Sequence, residues 1–279
     1  MAAMIDGKSF SGKVVIVTGS SSGIGEVNAI HFARLGASVV VTGRNQERVE
    51  KVANECRKFN TTDQSKTLGV VGDISTEDFC QTLINLTISE FGRIDVLVNN
   101  AGISSAVAID EPADKFFTAL DNIYRTNLRA VLYLIHLATP HLIASKGNIV
   151  NVSSCAGQRP WEKGTAYCSL KAALDMTVKT LTLELAPKGV RINNVSPAYV
   201  ETPMLSDGIE HLMPEIRQRV SEKYPLGRIG QSEDVSNAIV FLASEMASFV
   251  CGSCLPVDGG SLDGSYTHTP PEIMKLIIR

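Results

Sequence analysis

The stretch Lys13-Val14-Val15-Ile16-Val17-Thr18-Gly19-Ser20-Ser21-Ser22-Gly23-Ile24-Gly25 decides the fold. Its first half is a short continuous apolar run, the pattern of a strand buried on both faces. Glycines follow at once, and from Ile24 the period changes. Ile24, Val27, Ile30 and Leu35, with Ala29 and Ala33 between them, form a helical stripe that Gly36 ends. The stretch is therefore strand, loop, helix. Glycines in such a loop let the backbone turn tightly and approach a pyrophosphate, whose charge sits at the helix N-terminus. Because a second apolar run, residues 38–42, follows about twenty residues later, a dinucleotide site is expected.

Outward from that stretch the pattern repeats. Helices are expected over 46–59 and 77–91, and strands over 68–71 and 96–98. Strands alternating with helices imply a parallel, doubly wound sheet in one α/β domain. Asp73 follows the third strand and Asn99-Asn100-Ala101-Gly102 the fourth, at the carboxyl edge where such sheets hold ligands. Asp73 serves equally well as a helix cap. Residues 116–142 read as a long helix apolar around most of its circumference. The helix from Tyr167 to about residue 186 also has more apolar surface than one sheet face needs. Both are expected to pack on a second subunit, giving a homo-oligomer, a dimer or a tetramer. A strand over 191–195, a helix over 232–244 and a strand over 255–257 complete the domain. Residues 196–230, with four prolines among apolar residues, read as a flap over substrate or as a surface helical hairpin.

Chemistry enters at Ser154, Tyr167 and Lys171. Ser154 ends the apolar run 149–152, and Tyr167 and Lys171 stand at i and i+4, neighbours on one helix face. A tyrosine acting as a base at neutral pH needs its phenolate stabilised by roughly 4 kcal/mol. An ammonium about 5 Å away at an effective dielectric near 20 supplies roughly 3 kcal/mol. Tyrosine and lysine at this spacing also occur on many solvated helices, so it is the strand end beside them that favours a site.

The totals exclude other classes. The chain has 279 residues and a formal net charge of −3, so no basic field favours nucleic acid or an anionic membrane. No apolar run approaches the ~20 residues of a membrane span, and the first ten residues lack the apolar core of a signal peptide. A cytoplasmic location is expected. The six cysteines show no framework spacing and suit reduced thiols. Cys251 and Cys254 form C-x-x-C without two further ligands nearby, so no metal site is expected.

Taken in order, these motifs resemble the short-chain dehydrogenase/reductase family over residues 11–261. Thr18 to Gly25 is similar to its cofactor loop, Asn99 to Gly102 to its sheet-stabilising motif, and Tyr167-Cys168-Ser169-Leu170-Lys171 to its active-site motif. Asn127, Ser154 and Val257-Asp258-Gly259-Gly260 fall where the family places theirs. The resemblance implies a Rossmann-like fold and an NAD(P)(H)-dependent oxidoreductase, a carbonyl reductase or alcohol dehydrogenase acting on a ketone, a 3-oxoacyl chain or another partly apolar substrate. In it Tyr167 is the general acid/base, Lys171 lowers the tyrosine pKa and holds the nicotinamide ribose, Ser154 bonds the substrate carbonyl, and Asn127 anchors a relay water. It also implies cofactor contacts from Gly19, Ser21, Ser22, Gly23, Ile24 and Gly25. Further contacts come from Asp73 at the adenine, Ile74, Asn99, Asn100, Ala101 and Gly102, and from Pro197, Val200 and Thr202 at the nicotinamide end.

The end of the second strand, Thr42-Gly43-Arg44-Asn45, bears on cofactor choice. A carboxylate there would accept both ribose hydroxyls of NAD and repel a 2′-phosphate. Gly43 holds that position and Arg44 follows it, so NADP(H) is favoured. Two departures from the family stand out. Ala198 replaces a glycine after Pro197, and a tail, 263–279, runs past the last strand. The alternative to an enzyme is a non-catalytic, cofactor-sensing protein on the same fold, which would have no chemical need of the full Asn127, Ser154, Tyr167 and Lys171 set.

Overall fold

The computed structural model describes residues 5–60 and 65–262, so the 263–279 tail lies outside the described residues. The elements run in the order β1 (Val14–Val17), α1 (Gly23–Arg34), β2 (Ser38–Gly43), α2 (Gln46–Arg57), β3 (Thr67–Val71), α3 (Glu77–Phe91) and β4 (Val96–Asn99). After β4 come α4 (Ala113–Tyr124), a π-helical turn (Arg125–Arg129), α5 (Ala130–Ser145), β5 (Asn148–Val152) and α6 (Thr165–Leu185). The last third holds β6 (Arg191–Pro197), α7 (Pro203–Ser206), α8 (Met213–Lys223), α9 (Ser232–Ala243) and β7 (Cys254–Val257). The strands form one parallel sheet in the order β3-β2-β1-β4-β5-β6-β7.

Strand residues alternate between two covered faces, which is why β1, β2 and β4 are almost wholly apolar, while β5 and β6 also bury asparagines. Val15, Val17, Val39 and Val41 pack with Ala29 and Phe32 of α1, Val52 of α2 and Ile239 of α9. Ile16, Val40 and Leu97 point the other way, onto Leu83 of α3, Leu134 of α5 and Leu174 of α6. The chain leaves β1 in both directions, toward β2 and toward β4, so a crevice opens at the carboxyl ends of these strands.

The long helix expected over 116–142 is α4, the π turn and α5 in sequence. By length and composition 113–145 could cross a membrane. Here Ile123, Val131, Leu134 and Leu142 are buried against the rest of the molecule, as in a core helix. Residues 196–230 contain α7 and α8 and have an apolar cluster of their own, Met213, Ile216, Val220, Tyr224 and Ile229, against which Ala198 and Leu205 pack. The helical arrangement of this segment thus has its own small core. Ala198 is not among the non-glycine residues with positive φ, so the alanine carries no backbone strain.

Candidate active site

At the nucleotide end, the loop after β1 is pinned to the loop after β4. Asn100 Nδ2 donates to the Thr18 and Gly19 carbonyls at 2.9 and 3.2 Å, and Thr18 Oγ1 accepts from the Asn100 and Ala101 amides, both at 3.0 Å. Two glycines are required by this closeness. Gly19 has φ +63°, and a Cβ on Gly25 would stand 2.4 Å from both Asn100 Nδ2 and the Gly19 carbonyl. The loop ends at Ser22, the N-cap of α1, whose side chain makes no capping bond. First-turn amides without such a cap, with the positive helix end behind them, suit a pyrophosphate.

The adenosine side is equally defined. A Cβ on Gly43 would lie 2.4 Å from Ser21 Oγ, so a carboxylate there would require Ser21 to move. Arg44 is exposed and lines the same cleft. Asp73 Oδ1 accepts from the Ser75 amide at 2.9 Å, organising the turn before α3, whose N-cap is Thr76 rather than Asp73, and Asp73 lines the cleft beside Ile74. At the other end Thr202 packs on Gly23, whose added Cβ would meet the threonine at 3.3 Å. Pro197, Val200 and Thr202 line the wall there, together with Met204 and Leu205.

Ser154, Tyr167 and Lys171 come together at the carboxyl ends of β5 and β6. Ser154 is buried, accepts from the Ala156 amide at 3.1 Å and donates to the Pro197 carbonyl over 3.4 Å. It also hydrogen-bonds Tyr167. Lys171 is buried; its Nζ donates to the Val152 carbonyl at 2.8 Å and lies 5.6 Å from the centre of the Tyr167 ring. Burial pushes the Tyr167 phenol up to about 12, against which the Ser154 hydrogen bond pulls down. Burial pushes Lys171 down to about 8, and Asp175 pulls it back up.

This differs from the expectation that Lys171 would lower the tyrosine's pKa. In the chain by itself desolvation is the largest influence on the phenol, the Ser154 hydrogen bond is the one that lowers it, and the ammonium is aimed at a carbonyl.

Asn127 sits in the π turn with 1% exposure. Its Oδ1 accepts from the Ile103 amide at 2.9 Å and its Nδ2 donates to the Ile103 carbonyl at 2.8 Å. Its side chain therefore clamps the loop after β4, and the π turn is the irregularity that aims it there. Asn99 does not line the cleft as expected; its amide turns into the sheet and donates to Asn151 Oδ1 at 2.8 Å. Trp161, in the loop between Ser154 and Tyr167, is with the apolar flap the sequence feature that favours a partly apolar substrate. Its ring packs on Tyr167 at 5.1 Å between centroids, tilted by 33°. Gly164 leaves room for it, since a Cβ there would be 2.6 Å from the indole nitrogen.

These parts line one continuous cleft of about 1080 Å³, from Arg44 past the glycine loop to Tyr167 and Trp161. The donor set fits a dinucleotide: amides at a helix end for the phosphates, an acidic and a basic side chain at the adenosine end, and a hydroxyl, a phenol and an ammonium at the other. Such an arrangement can move a proton to or from a carbonyl oxygen next to a cofactor that carries hydride.

The comparisons with known proteins agree. Residues 19–261 match the family model described as enoyl-(acyl carrier protein) reductase. The chain is 39% identical over 255 residues to 4-formylbenzenesulfonate dehydrogenase of Comamonas testosteroni, covering 89% of this chain and 97% of that protein. It is 34% identical over 253 residues to L-xylulose reductase of Caenorhabditis elegans, with 90% and 96% covered. The solved 7α-hydroxysteroid dehydrogenase complexed with NADH and 7-oxo glycochenodeoxycholic acid superposes with a TM-score of 0.83 at 32% identity, covering 92% of this chain and 98% of that one. With the family model spanning most of the chain and the relatives matching almost end to end, this protein belongs to the short-chain dehydrogenase/reductase family.

Proposed function

We propose that the protein is an NADP(H)-preferring carbonyl reductase or alcohol dehydrogenase acting on a small, partly apolar ketone, aldehyde or secondary alcohol. The observation that carries the reading is the convergence of Ser154, Tyr167 and Lys171 at one end of a cleft whose other end is a phosphate-type loop. When bound, NADP(H) would supply or accept the hydride. In this reading Tyr167 Oη gives or takes the proton at the substrate oxygen, Ser154 Oγ orients that oxygen, and Lys171 adds positive charge beside the phenol. Asn127 holds the loop after β4 that forms the opposite wall.

Preference for the phosphorylated cofactor rests on Gly43 and Arg44. The glycine leaves out the repelling carboxylate, and the exposed guanidinium can fork onto a 2′-phosphate. The partly apolar substrate rests on Trp161 against Tyr167 and on Met204 and Leu205 in the wall. Among the relatives, 4-formylbenzenesulfonate dehydrogenase is named for an aromatic aldehyde that carries a sulfonate, 7α-hydroxysteroid dehydrogenase for a steroid and L-xylulose reductase for a sugar, so an apolar ring is a recurrent but not a general feature. A homo-oligomer belongs to the same reading. Phe117 and Leu132 on α4 and α5, and Met176 and Leu183 on α6, are exposed apolar residues on the two helices expected to meet a second copy. We place the protein in the cytoplasm, from its reduced-type cysteines.

A panel of aromatic aldehydes, aliphatic ketones, 3-oxoacyl thioesters and steroids, followed by nicotinamide absorbance with NADPH and with NADH, tests the proposal. Turnover of at least one carbonyl, faster with NADPH at low cofactor concentration, is expected. Binding of the cofactor with no turnover of any substrate would favour the cofactor-sensing alternative.

A further inference from the structure

We propose that Asp175 is a positioning residue that holds Lys171 in its ammonium form, through a carboxylate buried one helical turn further along α6 and anchored by a ladder of three asparagines across the sheet. Asp175 and Lys171 stand at i and i+4 on α6, and both are buried. They make no direct ion pair among the described residues, since Lys171 Nζ is engaged by Val152, so the carboxylate acts through space. Its Oδ1 accepts from Asn194 Nδ2 at 2.8 Å. Asn194 Oδ1 in turn accepts from Asn151 Nδ2 at 2.9 Å, and Asn151 Oδ1 from Asn99 Nδ2 at 2.8 Å. An ionised carboxylate can only accept, so it fixes the orientation of all three amides, each donating toward Asp175. That polarity sets a donor, Asn194 Nδ2, against the carboxylate.

The second carboxylate oxygen, Oδ2, is buried without a hydrogen-bond partner among the described residues. It lies over Gly157, where a Cβ would be 2.7 Å away. A buried carboxylate with an open oxygen is costly unless a positive charge stands near it; Lys171 and Lys179 lie one turn to either side of Asp175 on α6, and of the two only Lys171 is buried. The groups around the pair leave this charge balance unopposed. Cys155, in the turn after β5, and Cys254 on β7 are thiols that burial keeps protonated, Cys254 with a pKa of about 11. The Asp175 carboxylate also acts on both thiols, hydrogen-bonding Cys254, with Lys179 opposing it at Cys254 and Asp258 adding to it at Cys155; the one charge that acts on Lys171 is Asp175. Arg125 of the π turn is exposed and lines the cleft. The chemical need follows from burial. A lysine already pushed down toward pH 8 would become neutral in the working range without a counter-charge, and Tyr167 would lose the cation beside it.

The inference rests on the oxidoreductase reading for its catalytic consequence, so its test uses two readouts on Asp175→Asn, which keeps the Oδ1 acceptor for Asn194 and replaces the charged carboxylate by a neutral amide, its NH2 standing where the unpartnered Oδ2 was. In the cofactor-free protein with ¹³C-labelled lysines, the Lys171 resonance, assigned by its loss in Lys171→Met, should titrate lower than in the wild type by on the order of one pH unit. In the pH dependence of kcat the alkaline limb should move to lower pH by the same amount, and Asp175→Glu should bring it back. An unmoved Lys171 titration, or a loss of kcat equal at every pH, overturns the proposal. Should Asp175→Asn fail to fold, Asp175→Ser also keeps an oxygen acceptor without the charge and is read the same way. If the wild type turns over no carbonyl, the oxidoreductase reading fails while the lysine titration still decides this one.

Discussion

The two ends of the cleft are built differently. The nucleotide end is made of backbone: a Cβ added at Gly19 or Gly25 would stand only 2.4 to 2.7 Å from neighbouring atoms, and the Asn100 side chain ties their loop to β4. The carbonyl end is made of side chains held by a helix, with Tyr167 and Lys171 pushed by burial in opposite directions, one up and the other down. Backbone geometry must be written in the residues that allow it, so it reads out of the sequence as glycines. Side-chain electrostatics depends on what the fold packs around a residue, which no spacing states.

Substitutions should separate the two ends. The largest effect belongs to Tyr167→Phe, which keeps the ring against Trp161 and removes the transferable proton. A loss of roughly 10²- to 10⁴-fold in kcat is expected, with cofactor affinity nearly unchanged in a fluorescence titration. A normal kcat would move the acid/base elsewhere. Arg44→Ala acts at the opposite end. Losing a charge-assisted contact of roughly 1.5 to 3 kcal/mol should weaken NADPH binding about 10- to 150-fold and leave NADH nearly as before. A wild type that binds NADH more tightly than NADPH would contradict the assignment of Gly43 and Arg44.

Lys171→Met blurs the ends, because the lysine is assigned both to the phenol and to the ribose, and turnover and cofactor affinity should fall together. Its stability signature is separate. The folded-state pKa of Lys171 lies below its unfolded value, so the charged lysine destabilises the cofactor-free protein at and below about pH 8, and that cost fades as pH rises toward 10.5. The methionine variant should therefore be more stable at pH 7, by roughly 2 kcal/mol after its lost hydrogen bond to Val152 is counted, and that gain should be gone by about pH 10. A variant less stable at pH 7 would show that the ammonium is better accommodated than its burial indicates. The smallest effect is expected from Ser154→Ala, about 10-fold in kcat/KM, from one lost hydrogen bond of roughly 1.5 kcal/mol to the substrate oxygen. Unchanged kinetics would assign that contact to another group.

Most of the fold was legible because its strands are buried on both faces. Val14–Val17, Ser38–Gly43 and Asn148–Val152 are built on apolar or β-branched runs, broken in the last by Asn151, and their ends moved by no more than a residue or two in the structure. The glycine loop and the i, i+4 pair Tyr167 and Lys171 were legible for the same local reason. What was not legible is long-range. Asn99 pairs with Asn151 rather than facing the cleft, and Asn127 spends both ends of its amide on Ile103. Trp161 lies on Tyr167 because Gly164 has no side chain. The direction of the Tyr167 shift needed the packing around α6, since Coulomb's law from spacing alone counts the ammonium and omits desolvation.

The most direct measurement is isotopic. NADPH carrying deuterium at nicotinamide C4, on the face that is transferred, is incubated with the protein and a carbonyl from the panel, and the alcohol is examined by mass spectrometry. One deuterium at the carbinol carbon is predicted with the wild type and none with Tyr167→Phe over the same time. Saturating cofactor binding with no deuterium in any alcohol would contradict the assignment of this cleft to hydride transfer.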